Sequence, residues 1–281
     1  LVEGSEVAGE LRGELAKKWG ITGQVSIAGG AGDNAAAACG IGALREGQGF
    51  VSLGTSGVLL TARDGYCPAP QSAVHTFCHA VPRRWYQMGV MLSATDNLNW
   101  LARVTSKTPA ALTGALNDKL QAPGRVRYLP YLSGERTPHN DAEIRGSFTG
   151  LDAVTTQVDL TRAVLEGVAY GLRDSFEALN ATDAKIEQLI AIGGGTASQY
   201  WLRIIATVLG MPLHLPGPAE FGAALGAARL GMTAATQAAP EDVMTAPALR
   251  KKIAPDAALL ASFDDAYQAF REAYPAIKSI Q

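Results

Sequence analysis

The sequence predicts an α/β protein, and three observations carry that prediction. Short apolar runs alternate with longer stretches whose apolar residues fall three and four apart, as strands and amphipathic helices require. Three of the apolar runs end in glycine-rich turns. Hydrophobic residues make up 47% of a chain of 281, enough for one large or two modest domains. The elements follow in order. Val25 to Ala28 reads as a short buried strand that turns through Gly29-Gly30-Ala31-Gly32-Asp33-Asn34, and Ala35 to Ile41 reads as the helix behind it. Gly49 to Leu53 and Gly57 to Thr61 read as two strands joined tightly by Gly54-Thr55-Ser56. Further strands are expected at Val74 to His79, Trp85 to Val90 and Val126 to Leu129. Helices are expected from Ser93 to Val104, Asp159 to Leu179 and Ser198 to Leu209. Leu189 to Ile192 is a buried strand running into Gly193-Gly194-Gly195-Thr196. A last helix from Phe263 to Tyr274 should stop at Pro275, and Ala238 to Pro255 reads as surface helix and loop.

Bulk properties exclude several functions. Lys and Arg number 24 against 26 Asp and Glu, so no broad electrostatic footprint for nucleic acid or an anionic membrane exists. Cys39, Cys67 and Cys78 have no paired spacing, and an odd count suits neither a disulfide framework nor a zinc site, which points to a cytoplasmic location. No apolar run approaches a membrane span, and the chain opens at Leu1 without a basic leader, as a piece of a longer protein would.

Asp33 is the expected catalytic group, a carboxylate on a glycine hinge at a helix start; the structural alternative is that it caps that helix. Gly54-Thr55-Ser56-Gly57 offers amides and hydroxyls suited to phosphate oxygens, or else is an ordinary tight turn. Gly193 to Gly195 allows a nucleotide to lie against the backbone, or marks close packing. Gly30 to Ala35 also fits the loose dinucleotide fingerprint of an NAD-binding oxidoreductase. That fold wants a carboxylate about 20 residues on, where this chain has Leu53-Gly54-Thr55-Ser56. His75 and His79 lie in an alternating, strand-like run, so no metal is assigned to them. Glu135, Arg136 and His139 read as a structural ion-pair cluster.

The segment Gly146 to Glu166 resembles the second signature of the FGGY carbohydrate kinases: Gly146, Phe148, Gly150 and Leu151, then Asp159, Leu160, Ala163, Val164, Leu165 and Glu166. Tyr128 to His139, Glu3 to Val7 and Ser72 to Ala80 are similar to the xylulokinase branch of that family. The resemblance spans nearly the whole chain and thins between Thr233 and Pro255.

The resemblance implies a ribonuclease-H-like, actin-like ATPase domain, a mixed sheet with helices on both faces. It identifies residues 1–281 as the second, nucleotide-binding domain, with the N-terminal sugar-binding domain and its Mg²⁺-positioning aspartate absent from this chain. The activity implied is transfer of the γ-phosphate of ATP, with Mg²⁺, to the terminal hydroxyl of a ketopentose such as D-xylulose. Another sugar or polyol, or a non-catalytic actin-like module, stands as the alternative. Asp33 matches the family's base, and Gly32 before it is an expected nucleotide-binding position. Gly54, Thr55 and Ser56 match the second phosphate loop, Gly194 and Gly195 the adenosine motif, and Gln199 and Asn99 nucleotide-facing positions. Expected partners are the sugar, ATP and the first domain, with no nucleic acid and no membrane. A face built to pack on a missing domain leaves room for a homodimer.

Overall fold

The computed structural model describes residues 1–217 and 222–281. Its first half comprises β1 (Val7–Glu10), α1 (Gly13–Lys18), β2 (Ser26–Ala28), α2 (Asp33–Ile41), β3 (Gln48–Leu53), β4 (Gly57–Arg63), β5 (His75–Cys78), β6 (Trp85–Met91), α3 (Thr95–Val104) and α4 (Pro109–Gly114). The second comprises β7 (Arg127–Leu129), β8 (Ser147–Thr149), α5 (Gln157–Asn180), β9 (Gln188–Ile192), α6 (Gln199–Leu209), β10 (Leu213–Pro216), α7 (Ala223–Thr236), α8 (Pro240–Val243), β11 (Leu249–Ile253) and α9 (Leu260–Lys278).

Seven strands form one mixed sheet in the order β11-β10-β9-β3-β4-β6-β5. β3, β9 and β10 run parallel, and the rest of the ladder is antiparallel. Strand alternation sends successive side chains to two cores. Phe50, Leu60 and Ile190 face α2 and α7, whereas Val51, Leu53, Leu59, Leu189 and Ala191 face α3, α5, α6 and α9. Helices therefore cover both faces, as expected. The helix starts are satisfied locally: Thr156 and Asp159 close a capping box on α5, Thr108 caps α4 ahead of Pro109, and Ser198 caps α6 through Trp201 N. Among the described residues no helix is long and apolar enough to cross a membrane.

Three expectations are corrected. The final helix continues past Pro275 to Lys278. Proline forfeits one N–H bond, but the Tyr274 hydroxyl and Lys278 Nζ both reach the Asp141 carboxylate, each at 2.7 Å, and fasten the last turn to the body. The stretch 238–255 contains a sheet strand, β11, which pairs antiparallel with β10. The short α8 precedes it. Finally, β2 is not the buried strand expected of Val25 to Ala28: it pairs with β1, antiparallel, in a separate two-stranded sheet, and Val25 and Ile27 are exposed. The glycine turn ahead of α2 is thus not the first turn of a parallel βαβ unit, which removes the structural basis of the dinucleotide alternative.

Candidate active site

Because β3 and β9 are parallel neighbours, with Ser52 opposite Ile192, the turns that follow them emerge side by side. They touch. Gly193 has φ +91°, and a Cβ there would stand 2.7 Å from the Leu53 carbonyl oxygen. A Cβ on Gly195 would stand 2.7 Å from Leu53 Cβ and 3.1 Å from Thr95 Cγ2. The glycines are what let the two backbones close together.

The 54–56 turn is held by its carbonyls. Gly54 O accepts from Thr95 N at 2.9 Å and from Thr95 Oγ1 at 2.7 Å, and Thr55 O accepts from Ala94 N at 2.7 Å. The N–H groups of Gly54, Thr55 and Ser56 donate to nothing among the described residues. A turn whose carbonyls are tied back to a helix start and whose amides are free is arranged to receive an anion.

Beside these turns opens a cleft of about 1020 Å³, bounded by α3, α4 and α6. The volume suits a nucleotide. Gly54, Thr55, Asn99, Gly194, Gly195 and Gln199 all line it, so six of the nine expected site residues converge from four separate stretches of sequence. Asn99 projects from α3 and Gln199 opens α6, where its Oε1 accepts from Lys251 Nζ at 2.6 Å.

Gly32, Asp33 and Ser56 lie outside the cleft lining, and all three are exposed. Asp33 is the first residue of α2, after the N-cap Gly32, and one of its carboxylate oxygens is taken up by a first-turn amide of that helix, as the capping alternative requires in part. Its Oδ1 accepts from Asn34 N at 2.7 Å and Asn34 Nδ2 at 3.2 Å. Oδ2 has no partner among the described residues. The Asp33 charge also reaches Tyr86 on β6, where it adds to the effect of burial in raising that phenol.

The wall opposite the glycine turns was not anticipated. It comprises α4 and the 114–118 loop, with Trp201 and Arg203 of α6. Arg203 Nη1 donates to Asp118 O and so ties that loop to α6. Trp201 is buried and donates from Nε1 to Leu165 O at 3.0 Å, fixing α6 on α5. Thr108-Pro109, a capping residue followed by proline, is the sequence signal that announces α4. Behind this wall, Glu166 Oε2 accepts from Gly124 N at 3.2 Å and Oε1 from Arg162 at 3.2 Å. Burial pushes Glu166 up to about 7 against the pull of Arg162.

The cluster at 135–139 is not the expected ion pair. Glu135 is buried and its Oε1 accepts backbone amides, from Leu92 at 3.0 Å and Arg136 at 2.7 Å. Desolvation drives its carboxyl up to about 8, so the interior takes it as a neutral group rather than a salt-bridge anion. Arg136 instead meets His75 Nε2 at 3.3 Å, and His139 stacks on Tyr274 at 3.6 Å. His79, also buried, bonds the Ala43 carbonyl at 3.2 Å and is lowered to about 4 by desolvation. Among the described residues no three His, Cys, Asp or Glu side chains gather as a metal site.

Comparison with known proteins bears on this geometry. Residues 49–235 match the profile of the FGGY family of carbohydrate kinases, C-terminal domain. Asp33 precedes that stretch. The xylulose kinase of Escherichia coli (strain K12) is 42% identical over 281 residues, covering 98% of this chain and 57% of that protein. The xylulose kinase of Klebsiella pneumoniae is 46% identical over 235 residues, 83% of this chain and 48% of the other. A crystal structure of a xyloylose kinase from Brucella ovis superposes with a TM-score of 0.97 at 54% identity, covering 100% of this chain and 58% of that one. This chain thus spans about half the length of the curated relatives it matches.

Proposed function

This chain belongs to the FGGY family of carbohydrate kinases and has the actin-like ATPase fold of sugar kinases. From that premise we propose that it is the nucleotide-binding, base-bearing half of an ATP-dependent pentulose kinase that converts D-xylulose to D-xylulose 5-phosphate. The observation that carries the reading is the convergence of two glycine turns and α6 on one nucleotide-sized cleft, with unpaired amides at the phosphate end.

Phosphoryl transfer needs alignment, charge neutralisation and a base for the acceptor proton. In the proposed arrangement the base and ribose lie in the cleft against Gly194 and Gly195, within reach of Asn99 and Gln199. The β- and γ-phosphates lie over the amides of Gly54, Thr55 and Ser56 with the Thr55 hydroxyl. The acceptor hydroxyl enters between the γ-phosphate and Asp33, whose Oδ2 takes its proton as the oxygen attacks phosphorus and the bond to the β–γ bridging oxygen breaks, with ADP as the leaving group. Gly32 keeps the approach to Asp33 free of a side chain.

The described residues offer no metal cluster of their own, so Mg²⁺, which the family uses with ATP, is not assigned a site here and no step is routed through it. The sugar pocket and the groups around the metal are assigned to the remainder of a protein about twice this length, as in the relatives. A cytoplasmic setting fits a free-sugar and ATP substrate pair. The test is sugar-dependent ATP turnover by the complete protein over a panel of pentuloses and hexuloses. D-xylulose is expected to give the highest kcat/KM, and turnover with none of them would overturn the reading.

A further inference from the structure

The fold sets one lysine against the amide at the mouth of the cleft. β11 runs along the edge of the sheet and carries three consecutive cations, Arg250, Lys251 and Lys252. Its register places Lys251 opposite Leu215 and Ile253 opposite Leu213, and those leucines and Ile253 belong to the core shared with α6. Strand alternation therefore sends Lys251, and not its two cationic neighbours, to the α6 side. There its Nζ donates to Gln199 Oε1 at 2.6 Å.

An ammonium group has hydrogens to give and no lone pair to offer. The Gln199 atom that it holds is therefore the carbonyl oxygen. What Gln199 keeps for the cleft is its Nε2 amino group.

We propose that Lys251 is a positioning residue for nucleobase selection: by occupying the Gln199 carbonyl it presents an amide donor, and no acceptor, to the purine. The inference rests on the reading that this cleft takes ATP. Adenine carries a lone pair on each of N1, N3 and N7, so a donor-only amide finds a match on any edge. Guanine carries a proton on N1, where a donor faces a donor, but accepts at N3 and N7 as adenine does, so the amide discriminates between the two purines where it faces N1. Without Lys251 the amide turns about its last torsion and offers either group, and its ordering is charged to nucleotide binding.

The experiment uses the complete protein, wild type and Lys251→Met, with ATP, GTP and the 1-deaza, 3-deaza and 7-deaza analogues of ATP at saturating sugar. In Lys251→Met the KM for ATP is expected to rise about three- to tenfold, the scale of one freed side chain, with kcat within about twofold of wild type. In the wild type one deaza analogue is expected to have a KM at least about tenfold above that of ATP, the loss of one hydrogen bond. That penalty shrinks below about threefold in Lys251→Met and returns in Lys251→Arg; where the penalised analogue is 1-deaza-ATP, the preference for ATP over GTP falls and returns with it. Gln199→Leu gives the same loss of discrimination by a second route. Normal ATP turnover with the same analogue penalties in wild type and Lys251→Met overturns the inference alone. A wild type that makes no use of ATP overturns the functional reading and the inference with it.

Discussion

The contact between α2 and α7 is closest at Gly226, where there is no room for a methyl group. A Cβ there would stand 1.7 Å from the Ala36 carbonyl oxygen and 3.0 Å from Gly40 N. Both are backbone atoms, so no side-chain rotation relieves the clash. The helices must part by about 1.5 Å to restore ordinary contact, and overpacking of a closed core costs about 1–3 kcal/mol. Two backbones give less than two side chains do, so Gly226→Ala is expected at the upper end, about 3 kcal/mol. For a domain of this size that lowers Tm by about 6–12 °C. Gly231 on the same helix is the control, because a Cβ there meets nothing within 4 Å. Gly231→Ala is expected to be neutral or stabilising by about 0.5–1 kcal/mol through helix propensity. Thermal unfolding of the two variants followed by circular dichroism decides the matter. Equal Tm values for both would refute the claim that backbone closeness at Gly226 holds α2, and Asp33 at its start, in place.

Glu135 gives a pH-dependent outcome. Its carboxyl is raised from the ordinary 4.5 to about 8 in the fold, so across that window the unfolded chain holds fewer protons than the folded one. Stability contributed by the neutral form is complete below the lower value and is lost as pH rises, by up to about 1.4 kcal/mol per pH unit. Glu135→Gln keeps the neutral shape without the proton, so it is expected to be no more stable than wild type at pH 5 and more stable by at least about 2 kcal/mol at pH 8, read from urea midpoints. A constant difference across pH would contradict this. Gly195→Ala sets a methyl 2.7 Å from Leu53 Cβ at the junction of the two turns. It is expected to raise the KM for ATP by about tenfold, the equivalent of 1.4 kcal/mol; an unchanged KM would remove Gly195 from the nucleotide site.

Much of the sheet was legible because its central strands are nearly continuous apolar runs. Phe50, Val51 and Leu53, Val58 to Leu60 and Leu189 to Ala191 are buried, and their runs read as strands without any tertiary information. The glycine turns after β3 and β9 were legible for the same reason, each standing at the end of such a run. The edge strand β11 was not, since four of its five residues are exposed and three are cations, a pattern that local reading assigns to a loop. α7 was missed because the face it buries, Gly226, Leu230, Thr233 and Ala234, carries a single large apolar side chain among small and polar ones. Pro275 looked like a terminus because the bonds from Tyr274 and Lys278 to Asp141 join residues more than a hundred positions apart. In the site, the amide and hydroxyl contributors were visible one motif at a time. The pairing of Gln199 with Lys251, 52 positions away, exists only once β11 is laid beside β10.

The most direct test of the account is the kcat of Asp33→Asn in the complete protein with D-xylulose and ATP. The variant keeps the shape of the side chain and the start of α2, and removes the carboxylate proposed to take the proton. The account expects kcat to fall by about 10²–10⁴-fold, roughly 3–5 kcal/mol of barrier, with the KM for ATP little changed. A variant that turns over at the wild-type rate would contradict it.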